Sequence, residues 1–166
     1  MRRLLSSLAA VSLLTVQQAQ AQLACLQPHE RSIVEVAALR SELMVLATGC
    51  RQDDRYNAFI RKFQTDLQGN EKAVGEVFKR IYGKRAQQEH DRFTTDLANG
   101  ESSAGMHLGT DFCDRNSILF SEVMALPNAA ALPAYAAGKD LVPATVEMCP
   151  QAAPARRQVA ADTKRR

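Results

Sequence analysis

Ile33-Val34-Glu35-Val36-Ala37-Ala38-Leu39-Arg40-Ser41-Glu42-Leu43-Met44-Val45-Leu46 is the stretch on which the fold turns. Advanced about 100° per residue, as in an α-helix, it places Arg31, Glu35 and Glu42 on one narrow stripe. Nearly all the remaining circumference is Ile, Val, Leu, Met and Ala. A helix apolar over most of its girth has to be wrapped by other elements or sit in a membrane. Its length and the charges along it mark a wrapped core helix rather than a span. Pro28 suits the first helical position, where its missing N–H would be unpaired anyway. Glu30 sits at the positive end of the dipole, and Gly49 is placed to take a left-handed C-terminal turn. The helix is expected over 28–48.

Upstream, residues 1–21 read as a signal peptide. Arg2 and Arg3 form a basic start, Leu4 to Val16 is an apolar run too short to anchor, and Ala19-Gln20-Ala21 supplies the small-x-small cleavage site. The mature chain is therefore expected to begin at Gln22 and to act in the periplasm or outside the cell. Leu23-Ala24-Cys25 offers lipidation of Cys25 as an alternative, but the Leu stands two residues before the Cys instead of three. No later stretch is long and apolar enough to span a bilayer. Residues 22–150 carry 14 basic and 17 acidic residues, whereas 151–166 carry five basic residues and one acid. The overall excess of Lys and Arg thus comes from the two ends, which argues against a nucleic-acid surface on the domain.

Downstream, Asp53 and Asp54 open a second helix whose Tyr56, Phe59, Ile60, Phe63 and Leu67 recur at steps of three and four. Gln68-Gly69-Asn70 is expected to break it. A third helix is expected over 71–98, with a bend at Gly83 as a variant, and a Gly- and Ser-rich loop over 99–109. Thr110 caps a fourth helix carrying Phe112, Leu119, Phe120, Val123 and Met124, and Pro127 ends it. A short Ala-rich helix from Pro133 to Gly138 and an extended strap over 141–150 follow. Residues 151–166 are expected to be a disordered basic tail. With no strand-period run, the chain is all-α: one up-down helical bundle of about four main helices over 22–150, closed by the strap.

Cys25, Cys50, Cys113 and Cys149 contain no C-x-x-C pair, and His29, His90 and His107 are scattered, so neither a metal site nor a cofactor is expected. Even-numbered, widely spaced cysteines in an exported chain indicate two structural disulfides. Helix 1 spans ~30 Å and separates Cys25 from Cys50, which disfavours that pairing. Short connections make neighbouring helices antiparallel, so helix 2 descends, helix 3 climbs, and Cys113 returns to the level of Cys50. The expected bridges are Cys50–Cys113 and Cys25–Cys149.

Four basic residues are candidate binding groups. Arg40 lies inside the apolar arc of helix 1, so it must be paired or reach an edge. It either binds an anion at the base of a cleft or pairs with an acid such as Asp66, Asp96 or Glu122. Arg55, Arg61 and Lys62, on the polar side of helix 2, suit an anionic envelope surface or an acidic protein, but acids interleave the basic residues there.

Catalytic readings are thin. His90-Asp91 invites comparison with the His-Asp of secreted phospholipases A2, in which the His activates water and the Asp helps hold calcium. The Gly- and Cys-rich calcium loop and the tight cysteines of that family are missing. A His-Asp phosphohydrolase would need more ligands than three histidines supply. Asp53-Asp54 is explained by the helix dipole, and no Gly-x-Ser-x-Gly elbow exists. The residues therefore point to an exported, non-enzymatic helical interaction or accessory protein with an envelope or protein partner and an unassigned oligomeric state. The alternatives are a small secreted hydrolase using His90 and Asp91, and a helical module binding a lipid or other apolar ligand in a gap between helices 1, 2 and 4.

Overall fold

The computed structural model describes residues 25–109, 111–143 and 146–150. The signal segment, the basic tail and the capping role of Thr110 lie outside the described residues. Helix α1 (Pro28–Cys50) is the axis: α2 (Asp53–Lys62), α3 (Gln64–Tyr82), α4 (Ala86–Leu108), α5 (Asp111–Asn116) and α7 (Leu132–Ala137) touch it, and α6 (Ile118–Ala125) packs on α2. Leu39, Leu43 and Leu46 are completely buried on it. Burying each is worth about 1.5–3 kcal/mol against leaving it wet. The charged stripe is drier than its residue types imply: Arg31 is exposed, but Glu35 and Glu42 are both buried. Arg31 Nε donates to Glu35 Oε1 at 2.7 Å, and α4 covers Glu42. At the C-terminal end Arg51, not Gly49, takes the left-handed conformation (φ 55°). Gly49 stays helical and lies 3.9 Å, at its would-be Cβ, from the Phe112 ring.

The second helix breaks earlier than its composition suggests. It runs as α2 (Asp53–Lys62), pivots at Phe63, and continues as α3 (Gln64–Tyr82) straight through Gly69 and Asn70. The pivot keeps its hydrogen bonds, Phe63 N to Phe59 O at 3.1 Å and Leu67 N to Phe63 O at 2.9 Å, so the rod bends without ending. One glycine costs a helix only ~1 kcal/mol. Asn70 is used across the bundle instead, its Nδ2 donating to Ile33 O at 3.0 Å.

The true reversal is at Gly83, whose φ of 56° is free of strain only for glycine. After the 3₁₀ turn Gly83–Arg85, α4 (Ala86–Leu108) returns antiparallel to α3. The expected loop at 99–109 is helix as far as Leu108. Its glycines are spent on packing and on stopping. A Cβ on Gly105 would stand 3.4 Å from the Phe112 ring, and Gly109 (φ 57°) ends the helix.

The fourth helix is two segments, α5 (Asp111–Asn116) and α6 (Ile118–Ala125), joined at Ser117, and the short α7 (Leu132–Ala137) follows. The number of reversals before Cys113 is the one the disulfide argument requires, although the turn sits at 83 rather than near 69. Both expected bridges are present: Cys50–Cys113 with Cα atoms 5.6 Å apart, and Cys25–Cys149 at 4.9 Å. The Cys25 sulfur is thereby committed to Cys149, leaving no thiol for a lipid.

The core has two parts. Leu39, Leu43 and Leu46 meet Phe59, Phe63 and Phe120 in the larger one, so the gap anticipated between helices 1, 2 and 4 is filled by rings at most 2% exposed. The smaller part, Leu26, Val34 and Val77, lies at the opposite end, with Val142 and Val146 of the strap packed on it. A single parallel bridge between Leu26 and Met148 fixes the strap: Leu26 N donates to Glu147 O at 2.9 Å, and Cys149 N donates to Leu26 O at 2.8 Å.

Candidate functional site

Where the strap crosses the α3–α4 hairpin it roofs a cavity of about 300 Å³. The floor follows from helical periodicity. Phe78, Ile81 and Tyr82 share a face of α3, Phe93 comes from α4, and Val34 from α1. The Phe78 ring stacks on Tyr82 with centroids 5.6 Å apart and tilts against Phe93 at 5.4 Å, so the three rings form one wall. The rim is charged: Glu89, Arg92 and Asp96 from α4, and Glu147 from the strap. Glu89 faces Arg85 at 3.4 Å and Arg92 at 3.8 Å. An apolar floor with a few polar groups at the mouth is the usual build of a small-molecule site.

The strap's anchor is also electrostatic. Arg80 Nε donates to Glu30 Oε1 at 2.7 Å, its terminal nitrogen pairs with Glu30 Oε2, and the same nitrogen donates to Cys25 O at 2.9 Å. Burial works to raise the Glu30 carboxyl, but the Arg80 hydrogen bond, the Gln27 N–H and the Arg80 charge outweigh it and hold it below its ordinary value.

A second concavity, between α1, α3 and α4, gathers Arg40, Glu71, His90 and Asp91. Arg40 finds an acid, but it is Glu71, at 2.6 Å, and not Asp66, Asp96 or Glu122. A helix start at Asn70 would leave Glu71 at the end of an element; in a continuous α3 it faces α1. His90 Nε2 stands 3.5 Å from the other Glu71 oxygen, and its ring lies 5.2 Å from Phe78. Asp91 is exposed and accepts from Gln87 Nε2 at 2.9 Å. The hydroxyls beside them are occupied, with Thr94 donating to His90 O and Thr95 to Asp91 O. The sequence-selected His, Asp and Arg therefore do converge, on a carboxylate already held by a guanidinium and with no free hydroxyl among Thr94 and Thr95.

The other basic candidates are dispersed. Arg55 donates to Ser117 O at 3.1 Å and Ser121 Oγ at 3.2 Å, and lies 5.7 Å over the Phe120 ring. Lys62 Nζ caps the end of α6 through Met124 O at 2.6 Å and Leu126 O at 2.8 Å. Arg61 is exposed and makes no ion pair or side-chain hydrogen bond among the described residues. Arg55 and Lys62 thus stitch α2 to α6, and of these three only Arg61 points unengaged to solvent.

One buried acid carries no signal in its sequence position. Glu42 is 4% exposed, its Oε2 has no hydrogen-bond partner, and neither has the neighbouring Ser41 Oγ. Burial first, then a hydrogen bond with Glu101 of α4 and the charge of that group, push the Glu42 carboxyl up to about 8. Between α6 and the end of α7, hydrogen bonds from Lys139 Nζ at 2.6 Å and Tyr135 Oη at 2.8 Å keep Glu122 low. Burial and that carboxylate raise Tyr135. No group of three or more metal-ligating side chains occurs among the described residues. No family model, curated protein or solved structure matches the chain.

Proposed function

We propose that this chain is an exported, non-enzymatic helical binding protein of the bacterial periplasm, and that the cavity beneath the strap is where its ligand sits. The observation that carries this reading is the aromatic-walled, charge-rimmed cavity of about 300 Å³ closed by a covalently pinned segment. The signal-type segment at residues 1–21 supports export. Two disulfides suit an oxidising compartment, and no helix among the described residues is long and apolar enough to cross a membrane. The hydrolase alternative is less well supported, because the carboxylate beside His90 is Glu71, already held by Arg40, while Asp91 is engaged by Gln87.

An envelope protein as partner is favoured by one further observation. Met106 is 77% exposed beside Met44, over a floor of Gly105 and Phe112, and flexible thioether side chains suit a surface that adapts to a partner. The test is purification of the mature chain from its native envelope without reductant, followed by native mass spectrometry. Release of a bound small molecule on denaturation supports the cavity reading. An empty chain that turns over an ester or phosphodiester overturns it.

A further inference from the structure

We propose that the strap cavity is selective for a small organic cation, a compact alkylated ammonium group with a short apolar or hydroxylated arm. This rests on the binding-protein reading and specifies its ligand class.

The sign of the site follows from the charges left over once internal pairs are removed. Glu89 is engaged by Arg85 and Arg92, and its side chain is only 15% exposed. Asp96 and Glu147 also line the cavity, one from α4 and one from the strap, and both are exposed. Neither carboxylate makes an ion pair or side-chain hydrogen bond among the described residues. Arg92 is the cavity's one lining cation, and it stands 3.8 Å from Glu89 with most of its side chain in water. Glu89 offsets only one of its two guanidinium neighbours, so with Asp96 and Glu147 the balance at the mouth is one net negative charge, carried by two carboxylates that have no ion-pair partner among the described residues.

The wall adds a second, independent preference. Phe78, Tyr82 and Phe93 present connected ring surfaces to the cavity, and the faces of such rings carry negative electrostatic potential. Aromatic faces bind an alkylated ammonium through cation–π attraction, while its methyl groups satisfy an apolar floor that a bare ammonium would not. A carboxylate or phosphate would meet the same rings and two like charges. A neutral alkane-like ligand would gain the floor but not the charge.

The test is calorimetric titration of the oxidised mature protein with three probes of similar size: choline, its uncharged carbon isostere 3,3-dimethyl-1-butanol, and hexanoate. Choline is expected to bind at least about tenfold more tightly than the isostere, a difference of ~1.4 kcal/mol. The advantage should shrink as salt rises, and hexanoate should give no binding. Asp96→Asn with Glu147→Gln, both at exposed positions, is expected to leave the melting temperature unchanged and to abolish the advantage of choline. Phe93→Leu should weaken choline more than the isostere. Equal binding of choline and isostere, or tighter binding of hexanoate, overturns the cation assignment while leaving a ligand cavity in place. Binding of none of the three, by a protein that releases no molecule on denaturation, overturns the cation assignment and the cavity reading together.

Discussion

Replacing Glu42 by glutamine gives the sharpest check on how this bundle is held. The carboxyl is 4% exposed, faces Glu101, and has one oxygen with no partner, so its charged form is disfavoured and ionisation is delayed to about 8. In the unfolded chain it ionises at its ordinary value of 4.5. Between those values the native state holds a proton that the unfolded state has released, so stability falls as pH rises through the window and levels off above it. Below about pH 4.5 both states are protonated and there is no penalty. The full displacement of ~3.5 pH units corresponds to ~5 kcal/mol at 1.36 kcal/mol per unit. Glu101 is half-exposed and water reaches the pair, so the expected penalty near neutral pH is roughly 1–2 kcal/mol. A glutamine side chain copies the protonated shape and cannot ionise. Urea unfolding followed by helical circular dichroism, with the disulfides intact, should show the Glu42→Gln variant gaining on wild type as pH rises. Its advantage should be small near pH 4 and grow by ~1–2 kcal/mol toward pH 8. A constant difference across that range, or a carboxyl carbon of Glu42 titrating near its ordinary value by NMR, would refute the reasoning.

Arg80→Met keeps the aliphatic stem but strands the buried Glu30 carboxylate, and should cost ~2 kcal/mol at neutral pH in chemical unfolding. Because Glu30 is held low, that loss is present above its ordinary value and fades as pH falls through the depressed one, so the variant should approach wild type in acid. Gly69→Ala lies in open space inside α3 and should stabilise by about 0.5–1 kcal/mol, whereas no gain would mean that the helix does break there. Serine at both Cys25 and Cys149 should speed hydrogen exchange at the backbone amides of positions 26 and 149 and weaken ligand binding in the cavity. The amides around Phe59 should stay protected, and uniform loss of protection would instead place the strap within the main core's cooperative unit.

Some of the site was legible in the sequence and some was not, for definable reasons. That Arg40 needs a partner follows from one helical wheel, because a charge inside an apolar arc must be satisfied. Which acid supplies it depends on the rotational phase of a second helix, and that phase shifts with every misplaced boundary; moving the break from Phe63 to Gly69 is enough to hide Glu71. Phe78, Tyr82 and Phe93 carry the same periodic signal as Phe59 and Phe63. Nothing local distinguishes a ring that fills the core from a ring that walls a cavity, since the difference is made by where the strap crosses. Glu42 is equally hidden, because a stripe of charges looks like a wet edge until α4 is laid over it.

The sequence alone determined the all-helical architecture, the axial role of the helix expected over 28–48 and both disulfide pairings. Those conclusions rest on periodicity, on the ~30 Å length of a helix and on the parity of chain reversals, quantities that survive an error of several residues in any one boundary. Tertiary structure alone decided which acid neutralises Arg40, that Glu42 is buried against Glu101, and that two carboxylates and three rings share one hollow. Such outcomes depend on the mutual rotation and depth of packed helices, set by the sum of many small contacts that no single stretch of chain encodes.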